Sequence, residues 1–239
     1  MRKNILQTRQ PICYSLNYTD PRKNLNFTDG SIMARKEEAY EYLKNCIITN
    51  KMKSGQPLSE PEISKKLQMS RTPVREAIRE LEKDGLVVSY PARGAHVAVL
   101  SVEDVEEICD LRVLLEVWCL ERGMHNISDE RLDELCDMFE AAEKDGRWEE
   151  FHKADRALHG TIVGASGNGR VIEIVAQLNG QIDRIRHNSA ADPNRSKYSY
   201  REHMAILDAI KQRNLIRARE RLMTHLYAVA ESAKSHFLR

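Results

Sequence analysis

From Ser101 to about residue 237, apolar side chains recur only at the three- and four-residue spacing of a helix. Helix-stopping residues are confined to five short breaks: Asn126-Ile127-Ser128, Asp145-Gly146, Ser166-Gly167, Ala191-Asp192-Pro193 and Arg213-Asn214. Helices are therefore expected at about 101–123, 128–144, 147–165, 168–189, 197–212 and 214–237. Six helices joined by such short connections can bury their apolar stripes only against one another, as an antiparallel bundle. In the first of them the stripe is read as Ile108, Leu111, Leu115 and Trp118, with Cys109, Cys119 and Trp118 as packing residues.

The chain before Ser101 is patterned differently. Ala39, Leu43 and Ile47, with Tyr40 and Ile48, mark a helix over 34–50, broken at Lys53-Ser54-Gly55-Gln56-Pro57. Ser59 with Glu62 three residues on reads as a capping box, and Pro61 falls in the first turn, where a missing N–H is harmless. Ser70 is a second N-cap candidate, followed by Pro73 and by the stripe Val74, Ala77, Ile78 and Leu81, with Gly85 as the stop. Leu86 to Tyr90 and Ala95 to Val99 then read as two strands around Pro91-Ala92-Arg93-Gly94. Three helices and a hairpin in about 70 residues predict a winged helix-turn-helix. The fold class is therefore mainly α, a winged helix-turn-helix followed by an antiparallel all-α bundle. Domains are expected at 34–100 and 101–239, after a flexible arm over 1–33 that lacks sustained periodicity.

Composition closes off other classes. The chain is 239 residues, 41% hydrophobic and 31% charged, which fits packed cores under a well-solvated surface. No apolar run approaches the roughly 20 residues of a membrane span, and no secretory leader is expected behind Arg2, Lys3 and Arg9. Five cysteines (Cys13, Cys46, Cys109, Cys119, Cys136) without a C-x-x-C pair suit reduced thiols and a cytoplasmic location. The net charge of +1 is unevenly spread: 34–100 carries 12 basic and 9 acidic side chains, and 101–239 carries 20 and 25. That division suits a nucleic-acid-binding front joined to a different back.

The helix after Ser70 places Arg71, Arg75 and Arg79 four apart on one face, opposite its apolar stripe. In a helix-turn-helix the start of this helix meets base edges, and the arginine fork matches guanine O6 and N7. Thr72 suits a phosphate or a thymine methyl, and Arg93-Gly94 at the hairpin tip suits an adjacent groove. The plainer reading is a solvated face on which Arg75 and Arg79 pair with Glu76 and Glu80. Their place between a turn and a wing favours DNA.

The run Leu58-Ser59-Glu60, Ser70-Arg71-Thr72-Pro73-Val74-Arg75-Glu76-Ala77, Leu81-Glu82-Lys83-Asp84-Gly85-Leu86-Val87 and Arg93-Gly94 resembles the N-terminal domain of GntR-family transcription regulators. The helical remainder is similar to that family's FCD effector-binding domain. The resemblance spans about 34–237 and implies DNA contacts from Ser70, Arg71, Thr72, Arg75, Arg93 and Gly94. Where the family often has an arginine early in the preceding helix, this chain has Pro61.

In the bundle, Asp155 and His159 are an i,i+4 pair on one helix face, with His203 and His225 on the last two helices. From spacing alone, an exposed pair or an ordinary hydrogen bond is the commoner outcome of such a motif. The resemblance implies more. Metal-binding FCD proteins carry an aspartate and a histidine four apart plus two later histidines, which correspond to Asp155, His159, His203 and His225. Three imidazoles and a carboxylate suit Zn²⁺, Ni²⁺ or a similar divalent ion. Open positions on the ion would take the carboxylate of a small organic acid effector. Arg112 either faces that anion or pairs with Glu116 at i+4.

The sequence thus predicts a ligand-responsive regulator, a homodimer on double-stranded, palindromic operator DNA, and no enzyme. The rival reading is a metal-dependent hydrolase with a DNA-binding appendage. It needs a general base near the ion. Asp155 is occupied as a ligand, and Glu202 beside His203 is turned away by about 100° of helix rotation.

Overall fold

The computed structural model describes residues 32–146, 148–190 and 195–237. The expected arm up to residue 31, Cys13, the Ala191-Asp192-Pro193 break and the side chain of His236 lie outside the described residues.

Helix α1 (Ile32–Ile48) buries Ala39, Leu43 and Ile47, its i, i+4, i+8 row, and starts two residues earlier than its periodicity suggests. In α2 (Glu60–Leu67), Ser59 Oγ accepts the Glu62 amide at 3.4 Å, while the return half of the expected capping box is not formed. Helix α3 (Arg71–Lys83) buries Pro73, Val74, Ala77, Ile78 and Leu81. Ser70 occupies its N-cap with extended backbone, but its hydroxyl makes no capping bond, contrary to expectation. Strands β1 (Val87–Tyr90) and β2 (Gly94–Val97) pair antiparallel in the register Val87↔Val97 to Tyr90↔Gly94. Gly94 has φ +78°, a conformation costly to a residue with a Cβ, and it closes the wing turn. The linker before α2 pairs with β2 through Leu58 N–H to Ala95 O (2.8 Å) and Gly55 N–H to Val97 O (2.9 Å). These elements share one apolar core centred on Leu43, Ile47, Val74, Leu81 and Leu86.

The second core is all helical: α4 (Val102–Gly123), α5 (Asp129–Asp145), α6 (Trp148–Ala165), α7 (Gly169–Ser189), α8 (Arg195–Lys211) and α9 (Leu215–Phe237). The helix starts are written locally. Ser101 and Asp104 exchange side-chain and backbone bonds in a full capping box, and Ser128 and Asn168 cap α5 and α7. Phe139, Leu135, Leu158, Ile162, Ile206 and Leu222 fill the centre.

Helix α4 turns a different face inward from the one expected. Val105, Ile108, Cys109, Val113, Val117, Cys119 and Leu120 are buried together with Arg112 and Glu116. Leu111 is 42% exposed, Leu114 68% and Trp118 37%, so Trp118 is not a core residue; the Arg122 guanidinium lies over its ring. The two cysteines pack as expected.

Helix α7 is the element on which the winged domain rests. A Cβ built on Gly180 would lie 2.8 Å from Leu86 Cγ and 3.2 Å from the Asp84 carbonyl, so only glycine admits this approach. Further along, Arg184 donates to Ala98 O and Ser54 Oγ, both at 2.9 Å, and Asn50 bonds Asn188 at 3.2 Å.

Candidate metal centre and nucleic-acid interface

The apolar rows of α6, α8 and α9 aim four polar side chains into one point of the bundle. Ala154, Leu158 and Ile162 seat α6 in the core, which turns Asp155 and His159 inward. The rows around Ile206 and Ile210 on α8, and Leu222, Leu226 and Val229 on α9, do the same for His203 and His225. All four are buried, and one ligand atom from each lies within 4.8 Å of the others. Asp155 Oδ1 stands 2.9 Å from His203 Nε2, 3.7 Å from His159 Nε2 and 4.0 Å from His225 Nε2.

Each of these groups is gripped from behind. His159 Nδ1 meets Glu116 Oε2 at 2.5 Å, and the other oxygen of Glu116 accepts Arg112 Nε at 2.8 Å. His225 Nδ1 meets Glu202 Oε2 at 2.8 Å, and Arg195 holds Glu202 through two bonds of 3.0 and 2.7 Å. Asp155 Oδ2 is paired with Arg186 Nε at 2.6 Å. His203 lies flat against Phe139, ring centroids 4.6 Å apart and 19° between planes.

The protonation states suit an ion. Burial, then the imidazoles of His203 and His159, pushes His225 well below its ordinary pKa; burial also lowers His159, against the opposing pull of Glu116 and Asp155. Burial works to raise Asp155, but Arg186, His159 and His203 outweigh it and keep the carboxyl well below the usual range. The result is two neutral imidazoles, His159 and His225, beside an ionised carboxylate. The Nε2 atoms of His159 and His225 are buried and make no hydrogen bond, and that of His203 has only the Asp155 carboxylate beside it, at 2.9 Å. Orphaned inward lone pairs of this kind are expensive unless something electrophilic satisfies them. The donor set fits a divalent ion of the zinc or nickel type, with the carboxylate and three Nε2 atoms as its ligands.

Arg112, expected either at an effector or on Glu116, is on Glu116. A narrow cavity of about 20 Å³ opens beside Asp155 on the opposite side, bordered by Arg186, Arg195, Ser189 and Ser199. Glu202 does not face away from the site as its sequence neighbourhood suggests: the packing of α9 on α8 brings His225 Nδ1 to 2.8 Å from it. Sequence reasoning missed Arg195 and Arg186 and set Glu202 aside, because Arg186 and Glu202 meet Asp155 and His225 of other helices and Arg195 matters only through Glu202, two turns along α8. Glu116 alone left a signal, its i+4 spacing from Arg112.

On the winged domain, Ser70, Arg71, Thr72, Arg75, Arg93 and Gly94 are all exposed. Arg75 is held by Glu60, with contacts of 3.0 and 2.8 Å, rather than by Glu76, which takes Arg79 at 2.8 Å. The start of α3 borders an open concavity together with Arg35, Lys65, Ser70 and Arg71. Arg35 comes from α1 and was not suggested by the sequence.

Two family descriptions match the chain: bacterial regulatory proteins of the gntR family over residues 35–97, and the FCD domain over 107–228. A Streptomyces ambofaciens protein described as an uncharacterized HTH-type transcriptional regulator in an unstable DNA locus is 30% identical over 195 residues, 81% of this chain and 83% of that one. The crystal structure of a GntR regulator from Rhodococcus sp. RHA1 superposes with TM-score 0.70 at 25% identity, covering 86% of this chain and 98% of that chain. The Zn²⁺-bound FCD domain of the regulator TM0439 gives TM-score 0.52 at 26% identity, over 59% of this chain and all of that chain. A winged helix-turn-helix joined to a helical FCD domain is the make-up of a transcription regulator, the class to which the matched family and relatives belong. The chain belongs to the GntR family, in its FCD branch. No helix among the described residues is long and apolar enough to cross a membrane.

Proposed function

We propose that the protein is a cytoplasmic, metal-dependent and ligand-responsive regulator whose domains are 34–100 for DNA and 101–239 for sensing and dimerisation, behind an arm over 1–33. Asp155, His159, His203 and His225 hold a divalent ion, zinc or nickel in preference, as the zinc held by the FCD domain of TM0439 supports. The observation that carries this is the convergence of four buried donors, with the Nε2 atoms of His159 and His225 left unsatisfied. One carboxylate against a dipositive ion leaves a net positive inner set, because each glutamate behind the histidines is neutralised by its own arginine. An anionic effector, a small organic acid, completes the ion's shell past Arg186 and Arg195, whose cavity of about 20 Å³ has to widen to admit it.

Ser70, Arg71, Thr72, Arg75, Arg93 and Gly94 form the DNA-reading set. Arg71, exposed at the start of α3, reads a base directly, whereas Arg75 exchanges Glu60 for a base or phosphate on binding. The exposed row of Leu111, Leu114 and Trp118 on α4 supports a second copy of the chain as its cover, giving a symmetric dimer on a palindromic operator.

Elemental analysis of the purified protein, with calorimetric titration of Zn²⁺ and Ni²⁺ into the stripped form, tests the proposal. About one ion per chain is expected, lost when His203 and His225 are both replaced by alanine. Stoichiometric metal in that double variant overturns the four-residue site.

A further inference from the structure

Two of the three histidines are backed by the same three-part arrangement, built from unrelated parts of the chain. On one side α4 supplies both members, with Arg112 and Glu116 one turn apart, and Glu116 meets His159 of α6. On the other, α8 supplies Arg195 and Glu202, and Glu202 meets His225 of α9. In both cases the carboxylate contacts Nδ1, the nitrogen that points away from Asp155, and in both an arginine occupies the remaining carboxylate oxygen.

The chemistry of the groups makes this geometry directional. An ionised carboxylate only accepts hydrogen bonds, so the imidazole nitrogen facing it must carry the proton. A neutral imidazole has one N–H; once it sits on Nδ1, Nε2 presents a lone pair. Those Nε2 atoms are the ones grouped within 4.8 Å of each other and of the aspartate oxygen. The arginines have a second effect. Each holds its glutamate on the Nδ1 side and neutralises it, Glu116 in the buried interior and Glu202 at a partly buried position. His203 lacks this support: its Nδ1 is buried with no hydrogen-bond partner, and its ring is held by stacking on Phe139.

We infer that Glu116 and Glu202, each locked by its arginine, are positioning residues that fix the Nδ1–H tautomer of His159 and His225 and thereby aim two Nε2 lone pairs at one ion. Arg112 on this view serves the ion through Glu116 and not an effector anion. The inference rests on the reading of the cluster as a metal site, but its first consequence is visible in the protein without metal.

The test uses the full-length protein in two measurements. Histidine ¹⁵N–¹H correlation spectra of the metal-free protein read the tautomer of each ring directly. Wild type is expected to show Nδ1–H for His159 and His225. Glu202→Gln, whose Gln can also donate to Nδ1, is expected to move His225 toward the Nε2–H form and leave His159 unchanged. Zn²⁺ competition against a chromophoric chelator is then expected to give a dissociation constant about 10–100-fold weaker for Glu202→Gln and for Glu116→Gln. Glu116 is fully buried, so a second variant, Arg112→Met with Glu116→Met, removes both charges together and guards against a folding failure. Nε2–H tautomers in wild type, or an unaltered His225 ring in Glu202→Gln, overturn the inference. Wild-type protein that keeps both Nδ1–H tautomers but binds no Zn²⁺ leaves the positioning role standing and removes the metal reading instead.

Discussion

Arg184 and Arg186 stand two residues apart on α7 and, being about 200° apart around it, serve opposite sides of the molecule. Arg184 bonds the Ala98 carbonyl and the Ser54 hydroxyl of the winged domain, while Arg186 grips Asp155 at 2.6 Å in the donor cluster. One rigid helix therefore touches both the platform that carries the DNA-reading helix and a ligand of the proposed ion. A change at Asp155 that shifts Arg186 has a short mechanical route to the winged domain.

That route makes a first prediction. Arg184→Met removes two hydrogen bonds at the domain junction without touching the cluster, at a cost of about 1–3 kcal/mol in stability. Zn²⁺ affinity is expected to stay at the wild-type value, while any Zn²⁺-induced change in operator affinity is reduced or lost. Fluorescence anisotropy with labelled operator, with and without Zn²⁺, checks it; undiminished coupling in the variant removes α7 as the connection, since coupling must be reciprocal between the two sites.

A second prediction separates the two arginines of the reading face. Arg71→Ala is expected to cost about 1–3 kcal/mol of specific operator binding, with the fold intact by circular dichroism. Arg75→Ala is expected to cost less than Arg71→Ala, because in the free protein Arg75 must first leave Glu60. Affinities measured at one fixed salt concentration decide, and equal wild-type affinity in both variants refutes the assignment of α3 as the reading helix.

Assembly supplies a third. A charge placed in the exposed apolar row, Leu114→Glu, is expected to dissociate the dimer without unfolding the bundle, because Leu114 contributes little to the monomer core. Sedimentation at micromolar concentration should give a dimer for wild type and a monomer for the variant. A monomeric wild type, or a variant that remains dimeric, places the interface elsewhere.

The fourth concerns pH. His159 and His225 have folded pKa values below the ordinary histidine value near 6.5. The unfolded chain therefore takes up these protons first as pH falls, and the stability they supply, complete above about 6.5, is lost below it. Two carboxylates add a lower step. Burial raises both, but His152, Arg156 and Arg186 around Asp183, and Arg112 and His159 around Glu116, bring each to about 2. Their contribution is present above the ordinary carboxylate range near 4 and disappears as pH falls toward 2. The melting temperature of metal-free protein should thus decline from pH 7 to pH 5 and again below 4. A flat profile between 7 and 5 contradicts neutral buried imidazoles.

Much of this protein is legible in its residues because the determining information is local. Caps such as Ser101 with Asp104, Pro61 and Pro73 in first turns, and the Val74-Ala77-Ile78-Leu81 stripe act within one or two turns of backbone, so helices and wing follow from spacing. The same locality puts Asp155 and His159 on one face and Arg112 within reach of Glu116. Tertiary structure decided what spacing leaves open. Helix α4 carries apolar residues nearly all round, so periodicity could not choose between the Val113-Val117 face and the Leu111-Leu114-Trp118 face; packing against the other helices did. Glu202 beneath His225, Arg186 on Asp155 and the seat of Leu86 on Gly180 join residues 23 to 94 positions apart on separate elements. Such contacts depend on how each helix is rotated against its neighbour, a choice made by the summed burial of the whole core and by no short stretch of the chain.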